Sequence, residues 1–517
     1  MRICAACVLV LATGLPAVAQ DDAPLSAIDW LSDSVTTPVV TASPGTRPTV
    51  TPNEPPVAES ALTPEVSVSR LDSPSPDRVG LLSSDVTGFP ADLWRGSAED
   101  TLVTLVQAQR VDGLPAMQAL LRNLLLAEAD APLGASPEGR LFIARVDKLL
   151  DMGALDPAQA LLEAANPDSP ALFRRWFDVS LLTGTEDAAC AMMRTRPDVA
   201  PTAAARIFCL ARNGDWSAAA LTLNTGRALG DITDEEDALL SRFLDPDLFE
   251  GEPALPAPTR TTPLVFRMRE AIGEPMTVDG LPRAFAHADL RSTTGWKAQL
   301  EAAERLARTG AIDPNQVFGT YLARRPAASG GVWERVAAVQ RLDRALESGD
   351  AEAAAAALSA AWDAMLEAQI ETAFATQYQP QLSAMDFDGD AAQLATEIGL
   401  LSPAYESVAL AATLASQRDI FLHGVARGDL SDVRAAGPQQ AAVFAAFNGA
   451  PPDPDLMQMA SSGKLGEAVL RAMGAFNEGV VSSHADVRDA LAFLRAVGLE
   501  DFARRLSLEY LILTRQS

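Results

Sequence analysis

The chain has 517 residues, of which 48% are hydrophobic and only 6% aromatic, and it carries a formal net charge of −27. The apolar fraction is large enough for a folded core, which excludes a chain that is disordered throughout. The acidic excess argues against a protein that coats DNA or RNA, because phosphate binding depends on lysine and arginine. Lysine occurs only at Lys148, Lys297 and Lys464, and the many arginines are scattered without forming a basic patch.

The first 19 residues have the organisation of a secretory signal peptide. Arg2 supplies a positive start, residues 3–15 are apolar, and Ala17-Val18-Ala19 is a small-residue cleavage motif. About 13 apolar residues are too few to cross a bilayer, which needs roughly 20. We therefore predict cleavage after Ala19 and a periplasmic or secreted mature chain without a transmembrane segment.

Residues 20–85 are predicted to be a disordered linker. Nine prolines lie between residues 38 and 76, interleaved with threonine, serine and valine. Such a segment cannot sustain a helix, and it carries too few large apolar side chains to offset the entropy lost on ordering.

From about residue 86 the pattern becomes helical, with apolar residues recurring at three- and four-residue steps. Short helices are separated by a recurring turn, in which a glycine ends one helix and Asp, Ser or Pro begins the next. The turn glycines are Gly153, Gly214, Gly310, Gly349, Gly428, Gly463 and Gly498. Their last four intervals, of 39, 79, 35 and 35 residues, are close to one or two lengths of a helix–turn–helix repeat.

These turns predict an all-α protein, built as an α-solenoid of degenerate helix–turn–helix repeats. An irregular all-helical domain is the alternative. A proline-rich connector, residues 251–263, is predicted to separate an N-terminal helical-repeat region, residues 86–250, from a C-terminal one, residues 264–517. An ordered surface loop would have the same composition as this connector.

The G-D/A-x-x-x-A-A form of the turns resembles tetratricopeptide and Sel1-like helical repeats, and the resemblance covers most of residues 97–517. The N-terminal half is also similar to a group of exported bacterial proteins of uncharacterised function. The segments that carry this second resemblance are Asp92-Leu93-Trp94, residues 124–128 and the run from Cys190 to Trp216.

Two cysteines belong to the predicted mature chain, because Cys4 and Cys7 lie in the signal peptide. Cys190 and Cys209 are an even pair in an oxidising compartment, on two predicted helices that a short turn would place antiparallel. We predict a disulfide between them, which would stabilise the fold by roughly 3 kcal/mol in the chain-entropy model. Two buried free thiols are the alternative.

One acidic segment has the spacing of a calcium-binding loop. Asp386, Asp388, Asp390 and Glu397 occupy positions 1, 3, 5 and 12 of an EF-type loop, and Ca²⁺ requires several oxygen ligands at once. Ala391 stands at position 6, where such loops use glycine for a sharp turn. The alternative is a solvated acidic loop in which Asp390 caps a helix that begins at Ala391.

Other side chains indicate structure rather than chemistry. The three histidines, His287, His423 and His484, have no neighbouring nucleophile motif, and no phosphate loop or dinucleotide fingerprint occurs. The tryptophans are spread along the chain, as expected for packing between helices. The pair Arg174-Arg175 is expected on a helix surface.

These observations favour a non-catalytic helical scaffold in the cell envelope that binds another protein or peptide. Two alternatives stay open. The first is an envelope enzyme, or an enzyme subunit, that uses carboxylates and holds paired acids with raised pKa values in a deep pocket. The second is a Ca²⁺-binding module built on the Asp386 loop. Beyond Ca²⁺ the sequence indicates no cofactor, and it sets no oligomeric state.

Overall fold

The computed structural model describes residues 75–514. The predicted signal peptide and most of the predicted linker lie outside these residues. Within the described range the chain forms 24 α-helices and four 3-10 helices, and its β-type pairings are two isolated bridges, Leu82–Ala127 and Ala98–Leu133. The predicted all-α class is therefore confirmed for the described residues. None of their helices combines the length and the apolar content needed to cross a lipid bilayer.

The helices are short and follow one another closely along the chain. The first eleven α-helices are α1 (Ser84–Thr87), α2 (Glu99–Ala108), α3 (Pro115–Leu126), α4 (Arg140–Met152), α5 (Leu155–Ala164), α6 (Pro170–Thr183), α7 (Asp187–Thr195), α8 (Ala203–Arg212), α9 (Trp216–Leu229), α10 (Asp234–Leu244) and α11 (Pro263–Ala271). The 3-10 helices are Pro76–Arg78, Pro197–Val199, Pro246–Phe249 and Arg283–Leu290.

The remaining α-helices are α12 (Trp296–Ala307), α13 (Pro314–Leu322), α14 (Val332–Ser348), α15 (Ala351–Ala368), α16 (Glu371–Ser383), α17 (Gly389–Leu400), α18 (Tyr405–Ala411), α19 (Gln417–Arg427), α20 (Pro438–Phe447), α21 (Pro454–Ser461), α22 (Leu465–Ser482), α23 (His484–Ala496) and α24 (Glu500–Leu513). Neighbouring helices in sequence pack against each other along much of the chain, for example α14 on α15 and α22 on α23.

The seven glycines predicted to end helices all have positive φ angles, between 59° and 89°. Side chains rarely adopt this left-handed conformation, whereas glycine adopts it without steric cost. After two of these glycines, Asp215 and Asp350 cap the next helix by accepting hydrogen bonds from Ala218 N and Ala353 N. The local structure of the recurring turn is therefore as predicted, and the repeat organisation stays a prediction.

Buried apolar side chains form two large cores. The first core draws on residues 89–288 together with residues 400–511. The second core draws on the intervening residues 296–401. Helices on both sides of the proline-rich connector contribute to the first core, for example through Phe208 before it and Phe266 after it. The predicted division into two helical regions at residues 251–263 stays a prediction.

The last helices of the chain pack against the first ones. Helix α24 lies against α3, and α22 lies against α2. Glu509 Oε2 accepts a hydrogen bond from Ala116 N at 2.8 Å, and Gln109 Nε2 donates to Leu470 O at 3.0 Å. In an open solenoid each repeat contacts only its neighbours. In this protein the first and last helices are also in contact, and we call these contacts the closure.

Cationic side chains donate hydrogen bonds to carbonyl groups at the C-terminal ends of several helices. The last carbonyls of a helix have no partner within the helix and carry partial negative charge, so they accept hydrogen bonds from cations of neighbouring elements. The pairs are Arg145 with Leu125 O of α3, Arg283 with Asp151 O of α4, Arg308 with Ala368 O of α15, Arg495 with Ala446 O of α20, and Lys148 with Gln107 O of α2. The forked guanidinium suits this role, which gives a structural reason for so many arginines in an acidic chain.

Residues 75–85 correct the predicted extent of the linker, because they are packed against the first core. Asp77 is fully buried, and its Oδ1 accepts a hydrogen bond from Phe142 N at 2.7 Å. The fully buried Arg145 donates to Asp77 O at 3.1 Å, and also to Leu125 O and Ala127 O. Burial lowers the pKa of this guanidinium to about 10. This short segment is thus ordered through buried polar contacts together with the packing of Val79 and Leu82 against the first core.

Candidate functional site

The structure does not arrange the four predicted calcium ligands as a metal site, although Asp388, Asp390 and Glu397 line one groove. Asp388 is the residue before α17, and the chain enters that helix at Gly389 instead of turning around an ion. Asp390 lies in the first turn and not at the cap, so the predicted helix start at Ala391 was wrong. Glu397 is held by Arg418 Nη2 at 2.7 Å. Among residues 75–514, no three His, Cys, Asp or Glu side chains are grouped as metal ligands would be.

The predicted disulfide pair is present. Cys190 on α7 and Cys209 on α8 have their sulfur atoms at bonding distance, and their Cα atoms are 5.0 Å apart. Both residues are buried in the first core. The pair fixes α7 to α8, and α8 is the helix against which α9 packs. The crosslink therefore stabilises the position of α8, the helix against which α9 packs.

Helix α9 carries three exposed large apolar side chains, Trp216, Leu221 and Leu229. Leu221 and Leu229 are 68% and 71% exposed, and Trp216 at its start is 52% exposed. Its buried side chains, Ala219 and Leu223, face α8 and α10. One side of the helix is therefore covered and the opposite side is open to solvent.

We use the name edge face for the open side of α9, formed by residues at three- and four-residue spacing: Ala218, Leu221, Thr225, Ala228 and Leu229. It contains no charged side chain, although the whole chain has a net charge of −27. The charged residue within α9 is Arg227, which lies outside this set. An uncharged, apolar helix face in contact with water is typical of a surface that another protein covers.

Aromatic rings connect the start of α9, at Trp216, to the first core. Trp216 lies 6.5 Å from Phe243 between ring centroids, and Phe243 lies 5.5 Å from Phe208. Phe208 in turn contacts Phe177 of the first core at 6.4 Å. This chain of ring contacts joins the start of α9 to the first core.

The expectation that tryptophans pack between helices holds for most of those described, with Trp94, Trp176, Trp296 and Trp362 buried. It was wrong for Trp216, whose ring is half exposed because α9 lies at the margin of the helix array. The sequence of α9 contains the signal that could have shown this. Apolar residues lie on two sides of the helix, Ala219 and Leu223 on the buried side and Leu221 and Ala228 on the opposite side, whereas a solvent-facing helix normally has one apolar stripe.

Burial raises the pKa values of five carboxyl groups among the described residues, and the shift is large for Asp178 and Glu509. The other three are Asp77, Asp289 and Asp343. Burial raises the pKa of Glu509 to about 7, against the opposing effect of the hydrogen bond from Ala116 N. Burial also raises the pKa of Asp178 to about 6, although Arg174 and Arg175 lower it. Arg175 donates two hydrogen bonds to Asp147 and is buried, which corrects its expected place on a helix surface.

The histidines are held by neighbouring elements. His287 Nε2 lies 2.6 Å from Gly153 O at the end of α4, and His484 Nδ1 lies 2.6 Å from the hydroxyl of Tyr510. His423 is buried in α19, and burial lowers its pKa. Each ring thus contacts a structural partner rather than another histidine.

No family model matches this sequence, and comparisons with curated proteins and with solved structures give no significant match. The resemblance to tetratricopeptide and Sel1-like repeats therefore stays a prediction from the recurring turns.

Proposed function

We propose that this protein is an exported, non-catalytic helical scaffold that binds a partner protein or peptide in the cell envelope. In this proposal its helix pairs are degenerate repeats of the tetratricopeptide or Sel1-like kind, and the edge face is the docking surface. The signal-like N-terminus and the cysteine pair support the export, and the stacked helix pairs support the scaffold.

The observation that carries this proposal is the uncharged apolar edge face on a braced helix. Contact with a partner would remove Leu221 and Leu229 from water, and burial of a leucine side chain contributes roughly 2 kcal/mol. The partner we infer is an uncharged apolar segment of an envelope protein. A charged segment would lose its hydration against this face without gaining an ion pair there.

The contacts that join α9 to the first core also favour binding. Association costs less when the contact surface is already ordered, because fewer side chains and loops lose freedom. The Cys190–Cys209 pair and the ring contacts of Trp216 with Phe243 order this end of the first core before any partner arrives.

Site-specific photo-crosslinking tests the proposal. A photoreactive phenylalanine analogue is placed at Leu221 of the full chain, and the chain is irradiated in envelope extract from cells that make it. The control carries the same group at Leu133, which is 62% exposed but lies far along the chain from α9. We expect a reproducible adduct from position 221 that position 133 does not give.

A double variant shows whether the adduct depends on the apolar surface. Leu221→Asp with Leu229→Asp changes two exposed side chains, so the melting temperature should stay close to that of the parent chain. We expect this variant to lose the partner in co-purification, whereas Leu133→Asp keeps it. Equal recovery of the partner with both variants would overturn the edge face as the docking surface.

A further inference from the structure

A second surface lies between α17 and α19, far along the chain from the edge face, and forms a groove of about 510 Å³. One wall is α17 with the acidic residues that precede and begin it, and the other is the segment from Thr413 to His423. Buried Leu400 and Leu422 lie at its base. The groove is thus apolar at its base and polar at its rim.

The rim of this groove is strongly acidic. Asp388, Asp390, Glu397 and Asp419 line it, and the ion pair there joins Glu397 to Arg418. The carboxylate of Asp419 caps its own helix, because its Oδ2 accepts a hydrogen bond from Ser416 N at 2.9 Å in a capping box. His423 does not offset the negative charge, since burial lowers its pKa and keeps the imidazole neutral at neutral pH.

Asp388 and Asp390 have exposed side chains that form no hydrogen bond and no ion pair in the described part of the chain. The half-buried ring of Phe387, the residue before Asp388, lines the same groove. Carboxylates without partners next to apolar side chains in water are complementary to a segment that carries both cations and apolar groups.

We propose that this groove binds a basic, apolar segment of a partner protein, with arginine or lysine side chains at Asp388 and Asp390 and apolar side chains against Phe387. The site differs from the edge face in place and in chemistry, so it does not depend on the function proposed above. A guanidinium would form ion pairs with the two carboxylates at the rim, and the base of the groove would accept an apolar side chain.

Fluorescence anisotropy with the full chain tests this inference. The probe is a fluorescein-labelled eight-residue peptide of alternating leucine and arginine, and the control peptide has glutamate in place of arginine. We expect the arginine peptide to bind with an affinity that falls as salt rises, because exposed charges are screened. The glutamate peptide should not bind.

Charge variants separate the groove from general attraction to an acidic protein. Asp388→Asn with Asp390→Asn should weaken binding of the arginine peptide by about 5- to 10-fold. The matched control is Asp247→Asn with Asp363→Asn, which removes the same charge from two other exposed sites and should leave binding unchanged. An equal loss in both double variants would overturn the proposal.

The apolar part is tested by Phe387→Ser, which should also weaken binding of the same peptide at a temperature where circular dichroism shows the variant to be folded. The control is Leu410→Ser with Leu414→Ser, which changes two exposed leucines outside the groove lining and should leave the affinity unchanged. Unchanged affinity in Phe387→Ser would contradict the apolar contact and reduce the groove to an adventitious cluster of charges.

Discussion

The first and second cores of this protein are held together by different means. The first core joins helices hundreds of residues apart, and buried polar side chains such as Gln109 and Glu509 add hydrogen bonds between them. The second core is drawn from consecutive helices and is centred on the rings of Phe318, Phe374 and Tyr378, with centroid distances between 4.9 and 6.0 Å. Hydrogen bonds are directional and select which distant segments meet, whereas apolar contacts between neighbours need only complementary shape.

The largest effect is expected from opening the aromatic centre of the second core. Phe374→Ala removes a fully buried ring and leaves a cavity, so the free energy of unfolding should fall by about 4 kcal/mol. Urea denaturation followed by circular dichroism measures this change. The control, Leu322→Ala, alters a partly exposed side chain of the same region and should cost much less. Similar losses in both variants would contradict an aromatic centre.

The next effect should come from the buried guanidinium of the first core. Arg145→Met leaves the carbonyls of Asp77, Leu125 and Ala127 without their donor, and we expect a loss of about 3 kcal/mol. Hydrogen exchange should show faster exchange in residues 75–85 while the second core keeps its protection. The exposed Arg341→Met serves as the control. Faster exchange in both cores would remove the distinction between them.

Glu509 provides a pH-dependent test of the closure between α24 and α3. Its pKa rises from 4.5 to about 7 on folding, so the folded state binds the proton more tightly than the unfolded state. Stability from this group is fully present below pH 4.5 and is lost as the pH rises through about 7, by about 3 kcal/mol. Glu371 strengthens this shift and Arg505 opposes it.

In Glu509→Gln this loss should disappear. The difference in unfolding free energy between variant and parent chain should grow in favour of the variant between pH 4.5 and 7, and then stay constant. Denaturation at several pH values measures it. A difference that does not change with pH would show that Glu509 titrates as it does in the unfolded chain.

The smallest effect concerns the buried carboxylate of the second core. Glu304 accepts hydrogen bonds from the Tyr321 hydroxyl at 2.6 Å and from Arg335 at 2.9 and 2.7 Å. Tyr321→Phe removes one of these donors and should cost about 1 kcal/mol. Tyr378→Phe is the matched control, because its hydroxyl makes a longer bond of 3.3 Å to Asp343. A larger loss of unfolding free energy in Tyr378→Phe than in Tyr321→Phe would contradict this expectation.

The local features of this fold were accessible from the sequence, and the long-range ones were not. The turn glycines and the cysteine pair depend on spacing within a few tens of residues, so their patterns predicted them correctly. The contact of Ala116 with Glu509 spans 393 residues and leaves no local pattern. A glutamate in an amphipathic helix looks the same whether it faces water or a distant helix start.

The candidate surfaces show the same limit. The acidic segment from Asp386 to Glu397 was visible as a motif, but its chemistry depends on Arg418 and Leu422 of a different helix. The exposure of α9 depends on its place at the margin of the array. The excess of arginine over lysine was the one global signal of the buried cation contacts, and composition alone could not assign them to helix ends.

The contact between the first and last helices has a consequence for how the chain folds. Synthesis proceeds from the N-terminus, so α2 and α3 exist long before α22 and α24 can cover them. The entropic cost of closing a chain grows only slowly with its length, but contacts of such high sequence separation slow the search for the native state. Until the last helices are made, the sides of α2 and α3 that they cover stay in contact with water, so a nascent or truncated chain exposes an aggregation-prone surface that the finished protein buries.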